Sequence, residues 1–290
     1  MLRSFLMERE PVCTAISERF RHNEQTQIVR RERRERRGVK LDRPGRFHLY
    51  QNALGRTAAV YQGPGGYFFP LGITDLQPRL PGLGNLIDWH IPMRTVIGAT
   101  DDVVRFEEFL QEHLPFDVTR VVDYSLLARE GIPQQYSQHP PKPDPELEVR
   151  RPTPAAWRSL MPIQLAYEQE EVLAPGRKPI AAHSRDHLID SLHNQIVLIA
   201  IWRETIVGRV ATNALGYHYG QVGGVYTLPS WRRRGIARWL MLHLLYELQR
   251  RQRGASLFVK NTNTSAQRLY TSLGFHDTGP FRISYFSEPG

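Results

Sequence analysis

The sequence contains little cysteine. Among its 290 residues only Cys13 is a cysteine, which excludes an internal disulfide framework and a multi-cysteine metal site, so no metal is expected. Long apolar runs are also missing, and none approaches the roughly 18 residues that a membrane-spanning helix needs. The first residues, MLRSFLMERE, become charged too early for a secretory signal. We therefore expect a soluble, cytoplasmic protein with one or two domains and no contact with a membrane.

Positive charge is abundant but unevenly distributed. The formal net charge is +9, and residues 30–46 and 232–253 are each strongly basic, whereas the rest of the chain is slightly acidic. A surface that coats nucleic acid is therefore not indicated. The run Arg30–Arg37, RRERRERR, is a candidate for RNA or DNA contact. The other interpretation is a solvated helix face on which glutamates pair with arginines, since no interleaved aromatic residues offer base stacking.

The first 130 residues carry no chemical motif but predict a small α/β lobe. Helical spacing covers residues 15–37 and Val103–His113, and short strand patterns lie at Phe47–Gln51, Thr57–Gln62, Tyr67–Leu71, Thr95–Gly98 and Phe116–Tyr124. A proline-rich segment, Ile132–Glu146, follows and predicts an extended linker. We therefore expect two domains, residues 1–140 and 141–290.

The most informative stretch is QVGGVYTLPSWRRRGIA, residues 221–237. It predicts a strand, Val222–Leu228, then a basic loop, then a helix from Ile236 to about Arg250. Unpaired N–H groups at a helix start and the positive end of the helix dipole favour an anion such as phosphate, and arginines add charged donors. Gly235 permits close approach of the ligand to the backbone. The spacing matches neither of the common nucleotide loops.

Arg232, Gly235 and Ala237 form the pattern RxxGxA, which resembles the acyl-CoA pyrophosphate loop of the GNAT N-acyltransferase superfamily. A second pattern downstream is similar to that family's second motif in spacing and residue type, and it comprises Asn263, Ala266, Tyr270, Gly274 and Phe275. The element order predicted after residue 146 is β-α-α-β-β-β-α-β-α-β-β, which agrees with that fold. The resemblance implies an α/β protein with a mixed sheet and a GNAT fold in its C-terminal part. The N-terminal lobe loosely resembles a degenerate lobe of the same kind without the CoA loop.

The resemblance also implies an N-acetyltransferase that moves an acetyl group from acetyl-CoA to an amine by direct attack in a ternary complex. The acceptor is then a small molecule or a peptide. The thioester is expected beside Val225, Tyr226 and Thr227. The pyrophosphate is expected against a loop and helix start comprising Arg232, Arg233, Arg234, Gly235, Ile236, Ala237 and Arg238. Asn263 is expected to bond the cofactor or the neighbouring strand, or to cap its helix.

The sequence supports a candidate for the general acid more strongly than any candidate for the general base. Tyr270 lies where the family usually has its general acid, and a phenol is protonated at neutral pH and can donate to a thiolate. Many relatives carry a glutamate base on the central strand, but Val222–Leu228 contains no carboxylate. Proton removal can then use water, Tyr226 or a group on the preceding helices, namely Glu168, Glu170, Glu171 or His193. We predict Glu168 or Glu171, although each is also compatible with a surface charge.

Two other functions remain open from the sequence. A two-lobed transferase that takes an aminoacyl group from tRNA is favoured by Arg30–Arg37, whereas the intact CoA loop argues against it. A non-catalytic acyl-CoA-binding regulator is favoured by the missing glutamate. A homodimer is possible in each case.

Overall fold

The computed structural model describes residues 1–34, 45–51, 55–63, 65–76, 87, 89–112, 117–130, 140–174 and 176–287, without the side chains of residues 23–34 and 50. Two predictions lie outside this description: nucleic-acid contact by the side chains of Arg30–Arg37, and the course of residues 132–139 in the proline-rich segment. No helix within the described ranges is long and apolar enough to cross a membrane.

The helices and strands are numbered in chain order. The helices are α1 Leu2–Glu8, α2 Glu10–Arg34 with a kink at Cys13, α3 Thr100–Gln111, α4 Trp157–Tyr167, α5 Ala181–Asn194, α6 Ile236–Gln249 and α7 Thr264–Ser272. The strands are β1 Arg46–Gln51, β2 Thr57–Gln62, β3 Tyr67–Leu71, β4 Thr95–Ala99, β5 Val118–Arg129, β6 Leu147–Arg150, β7 Val197–Trp202, β8 Thr205–Leu215, β9 Tyr219–Thr227, β10 Gly254–Lys260 and β11 His276–Phe286. The mixed α/β class is as predicted.

The chain forms two compact units, each built from more than one segment. The first unit comprises Met1–Leu127, Phe258–Gln267 and Asp277–Gly290, and the second comprises Ala128–Leu257 and Arg268–His276. The units are thus interleaved along the sequence. The simpler division into residues 1–140 and 141–290 stays a prediction.

In the first unit the strands follow the order β1-β2-β3-β4-β11-β5. Both faces of this sheet are covered, because neighbouring residues of β3 enter different cores: Phe68 packs with Phe106 and Leu110 of α3, and Phe69 packs with Leu6 of α1. The alternation of side chains along a strand produces this arrangement.

In the second unit the strand order is β10-β9-β8-β7-β6. Strands β6 to β9 pair antiparallel, and β9 pairs with β10 in parallel. One core contains Leu160 of α4, Leu188 of α5 and Ile199 of β7. Helix α6 packs against β7, β8 and β9 through its buried leucines. Strand β7 is therefore buried on both sides, as its nearly continuous apolar sequence indicates.

The end of the chain differs from the prediction. The predicted element order ends in two strands, but the structure has one long strand after α7, namely β11. Gly279 lies within this strand and has a φ of +134°. Its unusual backbone conformation therefore does not end the strand in a turn. Its second half pairs antiparallel with β4, a partner so distant in sequence that no local pattern indicates it.

Candidate active site

Strand β9 leaves its neighbour after a short parallel pairing. The register with β10 covers Tyr219–Gln221 against Gly254–Ser256, and the pairing ends there. From Val222 to Thr227, β9 continues to pair with β8 on its other side. Its N–H and C=O groups on the β10 side therefore form a strand edge. A ligand in an extended conformation can bind to this edge like an additional strand.

A bulge interrupts β9 along this edge. In the pairing with β8, Tyr226 lies opposite Arg209 and Gly223 opposite Ala211, so β9 has one residue more than β8 between these pairs. Gly224 lies in this bulge with a φ of +59°, a conformation that favours glycine. A Cβ at Gly224 would be 3.1 Å from the guanidinium of Arg209. The bulge thus needs a glycine for its backbone conformation and for the space beside it.

The loop after β9 leads into a helix start that has no side-chain cap. A 3₁₀ turn, Pro229–Trp231, leads to Gly235, which has a φ of +78° and precedes α6 without a side-chain cap. At this end of α6 the N–H of Trp239 reaches the carbonyl of Gly235 at 3.0 Å. The N–H groups of Ile236 and Ala237 come before that bond, at positions where a helix offers no carbonyl of its own. This geometry suits an anion.

The basic residues of the loop have different surroundings. Arg232, Arg233 and Arg234 are all exposed, and the guanidinium of Arg234 lies 4.6 Å from the ring centre of Trp231. Arg238 donates to Ser272 Oγ at 2.7 Å. The side chain of Arg232 donates to Glu170 Oε2 at 2.7 Å and to the carbonyl oxygen of Thr227 at 3.1 Å. Arg232 therefore contacts the acidic segment and the end of β9.

That acidic segment is a turn of π-helix. Residues Glu168–Val172 continue α4 with the wider hydrogen bonding of that conformation, in which the N–H of Leu173 reaches the carbonyl of Glu168 at 2.9 Å. Such turns widen a helix and change the direction of its side chains. Residues 154–172 thus comprise a 3₁₀ start, the α-helix α4 and this π-turn.

The predicted bases Glu168 and Glu171 lie in different surroundings. Glu168 accepts hydrogen bonds from Gln164 Nε2 at 2.6 Å and from Ser184 Oγ. Gln164 in turn accepts a bond from the buried guanidinium of Arg209. Glu168 is thus part of a buried structural network. The Glu171 carboxylate, in contrast, lies close enough to Tyr167 and Tyr270 to raise the pKa of both hydroxyl groups.

Tyr270 is buried, with 7% of its surface exposed. Burial raises the pKa of its hydroxyl well above its ordinary value, and the neighbouring Tyr167 and Glu171 raise it further. The phenol is therefore protonated throughout the neutral range and can serve as a proton donor. Asn263 has the capping position of the same helix, where its Oδ1 accepts the N–H of Ala266 at 3.1 Å.

Three further residues order this site and belong to neither of the two sequence patterns, namely Tyr167, Arg209 and Gln164. The hydroxyl of Tyr167 lies beside the backbone of Gly224, and its ring makes an edge-to-face contact with Tyr226 at 6.2 Å between ring centres. Arg209 and Gln164 are 4% and 6% exposed. The available signal was Arg209, an arginine in the middle of a strand whose neighbours are apolar. Charged side chains are rarely buried without a partner, so this position indicated a buried polar contact.

Comparison with known proteins gives the class. Residues 157–275 match the model of the acetyltransferase (GNAT) family. No curated protein sequence matches the chain. Three solved structures resemble it: a GCN5-related N-acetyltransferase from Sphaerobacter thermophilus (20% identity, 90% of this chain and 86% of that one, TM-score 0.51), a GNAT-family protein from Novosphingobium aromaticivorans (16%, 80% and 89%, 0.50) and a Drosophila protein (14%, 83% and 79%, 0.55).

These structures share the fold with the chain, and the family match assigns the chemistry. The protein is an acyltransferase. Residues 157–275 form its acetyltransferase domain of the GNAT family, as the two sequence patterns predicted.

Proposed function

We propose that the protein transfers an acetyl group from acetyl-CoA to an amine by direct attack in a ternary complex. The observation that supports this proposal is the edge of β9 from Val222 to Thr227, which lies beyond the pairing with β10 and is followed directly by the uncapped start of α6 inside a GNAT domain. The pantetheine arm would bind along the edge, with the thioester near Val225–Thr227. The pyrophosphate would lie against the loop Arg232–Arg238.

Two side chains would move the protons. The amine nitrogen attacks the thioester carbonyl carbon and loses a proton, and the C–S bond breaks when the intermediate collapses. We assign the proton donor for the sulfur to Tyr270, which burial keeps protonated. We assign the acceptor of the amine proton to Glu171, directly or through water, because Glu168 is bonded to Gln164 and Ser184. Orientation of the two substrates supplies a further part of the rate.

The proposed reaction assigns no step to the first unit. Its interpretation as a degenerate lobe of the same kind stays a prediction, as does a role for it in binding the acceptor. The acceptor itself is a small-molecule or peptide amine in this proposal.

The experiment is a panel of amines incubated with acetyl-CoA and the protein. The panel contains polyamines, amino acids, peptide N-termini, lysine peptides and aminoglycosides. We expect that at least one amine increases release of the CoA thiol and yields an acetylated amine in equal amount by mass spectrometry. Thiol release that no amine changes, with acetyl-CoA and with longer acyl-CoAs, would contradict the proposal.

A further inference from the structure

The side chain of Arg232 contacts several groups within the chain. This residue occupies the first position of the pattern RxxGxA, where the resemblance places it against pyrophosphate. Its guanidinium instead donates to Glu170 Oε2 at 2.7 Å and to the carbonyl oxygen of Thr227 at 3.1 Å, and it lies 5.5 Å from the ring centre of Tyr226. The side chain is thus held by three neighbours within the chain.

Glu170 is also held by more than one contact. Its Oε2 accepts a second hydrogen bond, from the hydroxyl of Tyr226 at 3.0 Å. Tyr226 is 6% exposed and belongs to β9, so Glu170 is bonded to β9 through Tyr226 and to the loop after β9 through Arg232. The hydrogen bond from Arg232 is the main reason that the pKa of Glu170 lies below its ordinary value, and the same bond raises the pKa of Arg232. Both directions favour the charged pair.

Glu170 is also part of the π-turn Glu168–Val172, which carries Glu171. Other contacts also hold this turn, among them Tyr167 beside the backbone of Gly224 and Glu168, which is bonded to Ser184 and, through Gln164, to Arg209. The contact made by Arg232 is the attachment that reaches the loop after β9. A change in that contact would move the turn, and with it Glu171, relative to the proposed thioester position.

Resting on the proposed function, we propose that Arg232 is a positioning residue and not a phosphate ligand. Together with Glu170 it fastens the π-turn Glu168–Val172 to the end of β9, so that the acceptor side is set relative to the cofactor strand. The pyrophosphate is then held by the N–H groups at the start of α6 and by the side chains of Arg233 and Arg234, whereas Arg232, although also exposed, pairs with Glu170.

The sign of the pH dependence follows from the lowered pKa of Glu170. The ion pair is fully formed above the ordinary carboxyl pKa and is lost as the pH falls through the lowered value. The groups facing this carboxylate are Arg232 and Tyr226. The Glu170 carboxyl can therefore report, by its own titration, whether Arg232 is beside it.

The deciding experiment follows that titration by NMR in the full chain labelled with ¹³C-carboxyl glutamate, with Glu170→Gln for assignment. We expect a lowered pKa for Glu170 in the wild type, a rise toward the ordinary value in Arg232→Gln, and no change when the wild type is saturated with CoA. A rise to the Arg232→Gln value on adding CoA would show that phosphate takes the guanidinium, which overturns the proposal. An ordinary pKa in the free wild type also overturns it.

Calorimetry and turnover provide the second readout. We expect Arg232→Gln to bind CoA within about three-fold of the wild type. We expect Arg232→Gln and Glu170→Gln each to lower kcat/KM for the amine by about ten-fold or more, with the double variant no worse than either. A larger loss of CoA affinity in Arg232→Gln, or additive effects, overturns the proposal.

A matched control is the exposed pair of Arg150 with Glu148, 2.6 Å apart. Arg150→Gln and Glu148→Gln remove the same charges and are expected to change neither quantity. If the wild type binds no CoA, the proposed function fails, and the titration of free Glu170 still decides whether Arg232 and Glu170 pair in solution.

Discussion

The variant Tyr270→Phe is expected to lose turnover by a factor on the order of 10² to 10³, while its affinity for CoA stays unchanged. The hydroxyl is the group removed, and the ring that packs 5.8 Å from the ring of Phe275 remains. Because burial, Tyr167 and Glu171 all raise the pKa of this phenol, turnover should not fall through loss of its proton between neutral pH and its ordinary pKa of about 10.

Steady-state kinetics with the amine found in the panel, together with calorimetry for CoA, test this prediction. Tyr246→Phe is a suitable control, because Tyr246 lies in α6 and has no proposed role in the chemistry. Equal turnover of Tyr270→Phe and the wild type would remove Tyr270 from the acid role. A loss of CoA affinity comparable to the loss of turnover would assign it to binding.

The variant Gln164→Leu is expected to reduce the free energy of unfolding by about 3 kcal/mol. Gln164 accepts the hydrogen bond of Arg209 and donates to Glu168, and Arg209 is 4% exposed. Leucine would leave a buried guanidinium without that acceptor, which is costly because its charge is not returned to water.

A second substitution isolates this cause. Adding Arg209→Met removes the buried charge, so the double variant should be more stable than Gln164→Leu alone. The exposed Gln169 provides the control, since Gln169→Leu should change stability by at most about 0.5 kcal/mol. Urea unfolding measures all four proteins. Equal stability of Gln164→Leu and the wild type would show that the network contributes nothing.

The parts of the fold that were predictable are those with local signals. Strands β2 and β3 were predicted to the residue because apolar runs end at Gly55 and Gly63–Gly66. Helix α6 was predicted because its leucines recur at helical spacing after Gly235. The partner of β11 was not predictable, since β4 lies far away in sequence.

The candidate site likewise contains residues that local sequence patterns indicated and contacts that they did not indicate. The loop Arg232–Arg238 and Tyr270 were found because their residues follow one another at fixed spacing. The contacts between Arg232 and Glu170, and between Arg209 and Gln164, join residues that are 62 and 45 positions apart. A single sequence carries no signal for which side chains meet at such separations, so the different surroundings of Glu168, Glu170 and Glu171 emerged only from the structure.

The most direct test of the central claim is calorimetric titration of the wild type and of Gly235→Asp with acetyl-CoA and with CoA. A side chain fits at Gly235, where the nearest atom to a Cβ is that of Pro143 at 3.5 Å, and Asn tolerates the left-handed backbone. Gly235→Asn is therefore the uncharged control. We expect micromolar binding by the wild type, retained binding by Gly235→Asn and none by Gly235→Asp. A folded wild type that binds neither ligand, or an aspartate variant that binds like the asparagine variant, would contradict a cofactor site at the start of α6.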